Sequence, residues 1–168
     1  MKQVTLKQLI LDSCSILIII VVFPILKLII SGGLNAVNAC DAWDLLKGKG
    51  AVIAVLDQGV DSKHREFENN YSSLSYDLVT KTTPTTVYGD HGTHVSGIIG
   101  ANHNGRQIVG LAPEATLISL SHPLTIGTNA AAQMASSFGY AVAHGVDVIN
   151  NSWGDQGGFS INKCIVLF

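Results

Sequence analysis

The stretch AVIAVLDQG, Ala51 to Gly59, opens with six apolar residues, two of them valine and one isoleucine. It has no polar gap and no Gly or Pro before Gly59. A strand with one wet face alternates apolar and polar residues. A continuous β-branched run is the pattern of a strand covered on both faces, as in a parallel sheet. The run stops abruptly at Asp57-Gln58-Gly59. A carboxylate at the carboxyl end of a buried strand lies where such sheets gather their functional groups.

Working outward, the same texture recurs. Ala115 to Leu120 and Val146 to Asn150 read as two further core strands, and Ser75 to Val79 as a short one. Asp41 to Lys47 reads as a short helix stopped by Gly48, and His91 to Ala101 as a second helix. Asn129 to His144 is the clearest helix, stopped by Gly145. Its Ala131, Met134, Ala135, Phe138, Ala141 and Val142 form one apolar stripe at helical spacing, predicted to face the core. Strands alternating with helices define an α/β domain with a mainly parallel sheet. Asp57, the region Ser119–Ser121 and Asn150-Asn151-Ser152 then all fall at strand carboxyl ends.

The bulk composition narrows the partners. Charged residues make up 13% of the 168, about half the usual share of roughly 25%. The net charge is −2 and no basic block occurs, which argues against a nucleic-acid partner. The amino-terminal segment raises the mean hydropathy to +0.35. MKQVTLKQ carries two lysines, and a mostly apolar run follows from Leu9 to Ile30. That layout is an export signal or a signal-anchor, with Val37-Asn38-Ala39 as a candidate cleavage site. Pro24 and Lys27 interrupt the run, whose cleanest part is shorter than the roughly 20 residues a span needs. Cys14, Cys40 and Cys164 are widely spaced and odd in number, so unpaired thiols are expected.

The chemistry centres on His91 and His94. Three residues apart on a helix, they share a face. Such a pair serves as metal ligands, as a base with a structural neighbour, or as packing. Asp57, as a strand-ending carboxylate, either makes a local turn or orients a histidine. His91 sits between Gly89-Asp90 and Gly92-Thr93 at a helix start, where the dipole disfavours an imidazolium and a nearby carboxylate offsets that effect.

AVLDQGVDSKHREF, Ala54 to Phe67, resembles the Asp box of the subtilisin-like serine peptidases, the subtilases. GDHGTHVSGIIGA, Gly89 to Ala101, resembles their His box. NGRQIVGLAPEATL, Asn104 to Leu117, is similar to the loop and strand that follow it. DVINNSWG, Asp147 to Gly154, is similar to the strand that lines their substrate cleft. The four occur in family order. The resemblance implies a partial three-layer α/β domain, a truncated subtilisin-like fold with its parallel sheet flanked by helices. It implies Asp57 as the His-orienting carboxylate and His91 as the general base, with His94 packed behind the site. Ser152, Trp153 and Gly154 would bind an extended polypeptide substrate by backbone pairing. Gln58 stands where the family more often has Thr or Ser. No cofactor is expected apart from calcium at the loop after the His box. Glu66 and Asn104 are its candidate ligands and Arg106 an unfavourable neighbour. Export to the cell envelope, periplasm or medium follows from the amino-terminal segment, and residues 9–30 are the one candidate membrane contact.

A subtilisin triad runs Asp, His, Ser, with the serine roughly 160 residues past the histidine. Phe168 comes long before that point, and no Gly-Thr-Ser box or Gly-Asn oxyanion box occurs. Ser96 lies inside the His-box helix and Ser152 in the cleft strand, so neither is expected to substitute. The expected layout is a signal-like segment over 1–39, an incomplete catalytic domain over 41–158 and a divergent apolar tail over 159–168. Such a fragment is expected to be inactive alone and only marginally stable, because a partial sheet leaves an open edge. Two alternatives stand beside it. One is a non-catalytic peptide-binding module. The other is a metal site on His91 and His94 with His103 or His122, although zinc-peptidase helices space their ligands by four with a Glu between.

Overall fold

Val52–Asp57 forms strand β1, and it is the middle of the sheet in the computed structural model. The structure describes residues 33–105, 108–125, 128–154 and 166–167. Elements within them run α1 Ala39–Leu45, β1, a 3-10 turn Arg65–Phe67, β2 Tyr76–Asp77, α2 His91–Gly100, β3 Thr116–Ser121, α3 Ala130–Ala143, β4 Val148–Asn150 and β5 Val166–Leu167. The export-signal reading falls mainly on residues 1–32, and the tail reading mainly on 159–165 and 168, outside the described residues. Among the described residues no helix is long and apolar enough to cross a membrane.

The sheet order is β2-β3-β1-β4-β5. β1 pairs parallel with β3 from Val52↔Thr116 to Asp57↔Ser121, and parallel with β4 from Ile53↔Val148 to Val55↔Asn150. β2 is also parallel, and β5 alone runs antiparallel, on the outer edge of β4. The fold is therefore the mainly parallel α/β sheet that AVIAVL predicts.

Each central strand serves two faces. Ala54 and Leu56 of β1, Ile118 and Leu120 of β3 and Ile149 of β4 pack into one cluster with Ala141 of α3. Ile53 and Leu117 point the other way, into a cluster with Phe67, Val60 and Ile99 of α2. Side chains alternate across a strand, so a sheet sandwiched between helices must be apolar at every position. Burying each such Leu or Ile contributes about 1.5–3 kcal/mol.

The α3 stripe is rotated from its predicted setting. Ala141 and Ser137 are buried and Phe138 packs on the core, while Ala131, Ala135 and Val142 face outward. Ser137 turns its hydroxyl onto the Met134 carbonyl and so satisfies itself inside the interface. A small, self-bonded serine lets the helix lie close to the sheet, which hydrophobicity alone does not signal.

Two further features escape the sequence patterns. Cys40 is disulfide-bonded, which corrects the reading of unpaired thiols. Spacing along the chain does not report distance in the fold. Secondly, α1 is held by Trp43, whose indole N–H donates to the Leu111 carbonyl at 2.8 Å while its ring meets His103 edge-on.

Candidate active site

β1 delivers Asp57 to the carboxyl end of the sheet, fully buried. α2 begins with His91, half-exposed, directly opposite. The two are 34 residues apart in sequence, and His91 Nδ1 lies 2.9 Å from Asp57 Oδ1 and 3.0 Å from Oδ2. A carboxylate only accepts, so Nδ1 carries the proton and Nε2 is left as the basic nitrogen. The Gln58 backbone N–H donates to Asp57 Oδ1 at 2.7 Å, and the His122 N–H to the Asp57 carbonyl at 2.9 Å.

Glycines make this approach possible. A Cβ on Gly92 would meet the Gly59 carbonyl oxygen at 2.3 Å and the Asp57 Cβ at 3.1 Å. Gly59 itself turns through φ +95°, in the left-handed region that L side chains avoid. The inward face of α2 is accordingly small, with Gly92, Ser96, Gly97 and Gly100 buried.

His94 is exposed, which corrects the expectation that it packs behind the site. With small residues taking the inward face, the i+3 and i+7 positions after His91 point outward, and Ile98 is 73% exposed on that same face. The metal reading, His91 and His94 with His103 or His122, does not assemble either. His91 is bonded to Asp57, His103 lies against Trp43, and His122 is bonded to Gln133 and Leu124. No group of three or more His, Cys, Asp or Glu able to hold a metal ion occurs among the described residues.

The calcium candidates meet each other. Glu66 is fully buried, and Asn104 Nδ2 donates to its Oε2 at 3.0 Å. The Arg65 guanidinium lies 3.9 Å from Oε1. An amide that turns its N–H₂ to the carboxylate does not offer its oxygen beside it, so the pair presents one oxygen-donor group rather than two. This donor set does not fit calcium as arranged. Arg106 lies outside the described residues.

After β4 ends at Asn150, residues 151–154 have neither helix nor strand structure. Ser152 Oγ donates to Asn150 Oδ1 at 2.8 Å. Trp153 packs on the main core cluster, and its indole N–H donates to the Leu56 carbonyl at 2.7 Å. The indole thus ties this segment to β1, one residue before Asp57.

Two contributors escape a reading of motifs alone. Asp77, at the end of β2, is buried and accepts from the N–H groups of Val79, Thr80 and Thr86 and from the Tyr88 hydroxyl. Burial raises its pKa, but the hydrogen bonds from Thr86, Thr80, Val79 and Tyr88 outweigh this and hold it down at about 2. Burial and the Asp77 carboxylate raise the Tyr88 hydroxyl, which stays protonated as a donor at neutral pH. Tyr88 N–H in turn donates to the Gln58 carbonyl at 2.6 Å, so this hub fixes the chain that enters α2. The second contributor is the buried His122. The signal for Asp77 is local: an Asp two or three residues before Val79 and Thr80 is the spacing of an Asx turn.

Fold and site together define an α/β domain that presents a carboxylate–imidazole couple at the carboxyl end of a parallel sheet. Residues 48–164 match the model of the subtilase family, peptidase S8, and the chain belongs to that family. It is 32% identical over 136 residues to fervidolysin of Fervidobacterium pennivorans, a match covering 74% of this chain and 20% of that protein. It is 36% identical to the minor extracellular protease Vpr of Bacillus subtilis, over 71% of this chain and 16% of Vpr. The crystal structure of fervidolysin, described as a keratinolytic enzyme related to subtilisin, superposes with a TM-score of 0.59 at 31% identity, over 68% of this chain and 18% of that one. The MycP3 protease structure, from a type VII secretion system, also gives 0.59 at 31% identity, over 74% and 37%. The chain thus spans about a fifth of the curated relatives named here.

Proposed function

We propose that these 168 residues carry the Asp–His half of a serine endopeptidase site and that the nucleophile comes from residues beyond them. The observation that carries this reading is the Asp57–His91 couple. In the complete site, His91 Nε2 takes the proton of a serine hydroxyl as its oxygen attacks the peptide carbonyl. Asp57 holds the ring in that tautomer and stabilises the imidazolium. The imidazolium then returns the proton to the leaving amine, and water releases the acyl group by the same base. Neither nearby serine suits the attacking role. Ser96 is fully buried on the inward face of α2, and the Ser152 hydroxyl is engaged with Asn150.

Ser152, Trp153 and Gly154 form the peptide-binding edge in this reading. The indole is bonded to Leu56, and in this reading the backbone of the segment pairs with an extended substrate. Export is supported by the basic-then-apolar layout of residues 1–30 and by relatives such as an extracellular protease of Bacillus subtilis. The domain limits of 41–158 with a separate tail belong to the same proposal.

Hydrolysis of a fluorogenic peptide library is the test. The chain alone is expected to show no turnover. Addition of a polypeptide carrying a subtilase Ser box and oxyanion box is expected to produce turnover that His91→Ala abolishes. Turnover by the chain alone that His91→Ala removes contradicts the proposal. A chain that binds peptides saturably, loses that binding on Trp153→Ala and never gains turnover favours the binding-module alternative.

A further inference from the structure

We infer that His122 is a positioning residue for the Asp57–His91 couple, acting through the turn at Leu124 and the last hydrogen bond between β3 and β1. The inference rests on the role given to that couple above.

His122 directly follows β3 and is 2% exposed. Its backbone N–H donates to the Asp57 carbonyl at 2.9 Å, one step beyond the register pair Asp57↔Ser121. This bond closes the ladder at the residue that orients His91. The imidazole is fixed as well. Nδ1 accepts the Leu124 N–H at 2.9 Å, so Nε2 carries the proton and donates to Gln133 Oε1 at 3.1 Å on α3. A ring with both nitrogens engaged is held in one tautomer and one orientation.

The Leu124 bond carries the consequence. Leu124 has φ +57°, in the left-handed region that a leucine leaves unless something holds it. The His122 ring is what holds it, two residues back along the chain. When the ring bond is lost, Leu124 relaxes and the chain turns away from β3 earlier. The first ladder bond to go is the one on Asp57. Asp57 is the last residue of β1, paired with Ser121 at the end of the β1/β3 ladder, and its Oδ1 accepts the Gln58 N–H. A shift there moves both carboxylate oxygens relative to His91 Nδ1. In this role His122 acts on His91 through the Leu124 turn and Asp57.

The test is ¹⁵N-histidine NMR of the full chain, reading the downfield proton on His91 Nδ1. In His122→Phe this resonance is expected to disappear while the amide spectrum stays dispersed. In His122→Asn it is expected to persist, because the Asn oxygen replaces Nδ1 as the acceptor for Leu124. Persistence of the resonance in a folded His122→Phe chain overturns the inference, since a merely structural role lowers stability without moving it. Should His122→Phe unfold, loss of the resonance in a folded His122→Asn chain overturns it equally. Absence of the resonance from the unmutated chain fails the reading of the couple itself, before any His122 variant is made.

Discussion

Asp57 and His91 share one proton-bearing nitrogen between two carboxylate oxygens, Nδ1 lying 2.9 and 3.0 Å from them. One residue ends the central strand, and the other starts the helix that crosses it. The carboxylate is out of water and the imidazole is half in it. That asymmetry suits an orienting group and a working base. The following expectations test how the rest of the chain sustains it.

Gly92→Ala tests the close approach of α2 to β1. The added methyl would lie 2.3 Å from the Gly59 carbonyl oxygen, and backbone does not yield cheaply. Overpacking of this kind costs about 1–3 kcal/mol. Urea denaturation is expected to show that loss, and the His91–Asp57 contact is expected to weaken with it. Unchanged stability would mean that the helix is not held at this distance.

Asp77 gives a pH signature. Its folded-state pKa of about 2 lies below the ordinary value of 3.8, so its contribution is complete above pH 4 and is lost as the pH falls toward 2. The size expected at neutral pH is on the order of 2 kcal/mol. Asp77→Asn is expected to lower stability at pH 7 by that order and to flatten the pH dependence between 4 and 2. Equal slopes for the two chains in urea titrations across that range would remove Asp77 as the hub of the loop before α2.

Trp153→Phe separates packing from hydrogen bonding at the cleft strand. Phe keeps much of the apolar contact with the core and removes the N–H donated to Leu56. The lost hydrogen bond is expected to cost about 0.5–1.5 kcal/mol. Denaturation should register this, and peptide binding through the backbone of residues 152–154 should survive. If binding falls while stability holds, the indole contacts the peptide directly.

Exposed apolar side chains bear on behaviour in solution. Ile98 is 73% exposed, Leu45 84%, Leu46 71% and Val142 61%. Uncovered apolar surface on several elements favours self-association. Size-exclusion chromatography of the 168-residue chain is expected to show oligomers and aggregates, and calorimetry a broad, weak transition. A monodisperse monomer with a sharp cooperative transition contradicts this.

Much of the architecture was legible because it is written in periodicity. AVIAVL had to be a doubly covered strand, and its parallel partners follow the same texture. Asp57 and His91 were legible from local motifs and family resemblance, and the fold brings them together. The errors came from rotation about a helix axis. Nothing in His91-x-x-His94 says which side faces the sheet, and the small residues Gly92, Ser96 and Gly100 decided it. The α3 stripe was misread for the same reason, because Ser137 is buried by bonding to its own helix. Asp77 carries a local Asx-turn spacing, but its Tyr88 contact, the partners of His122 and the bonded Cys40 depend on groups brought close by folding, which composition and spacing do not reveal.

The central claim is that the fold hands His91 an orienting carboxylate. ¹⁵N-histidine NMR of the full chain beside its Asp57→Asn variant tests this most directly. The account predicts a far-downfield proton coupled to His91 Nδ1 in the unmutated chain and its loss in the variant. An unmutated chain without that proton, or a variant that retains it, would contradict the account.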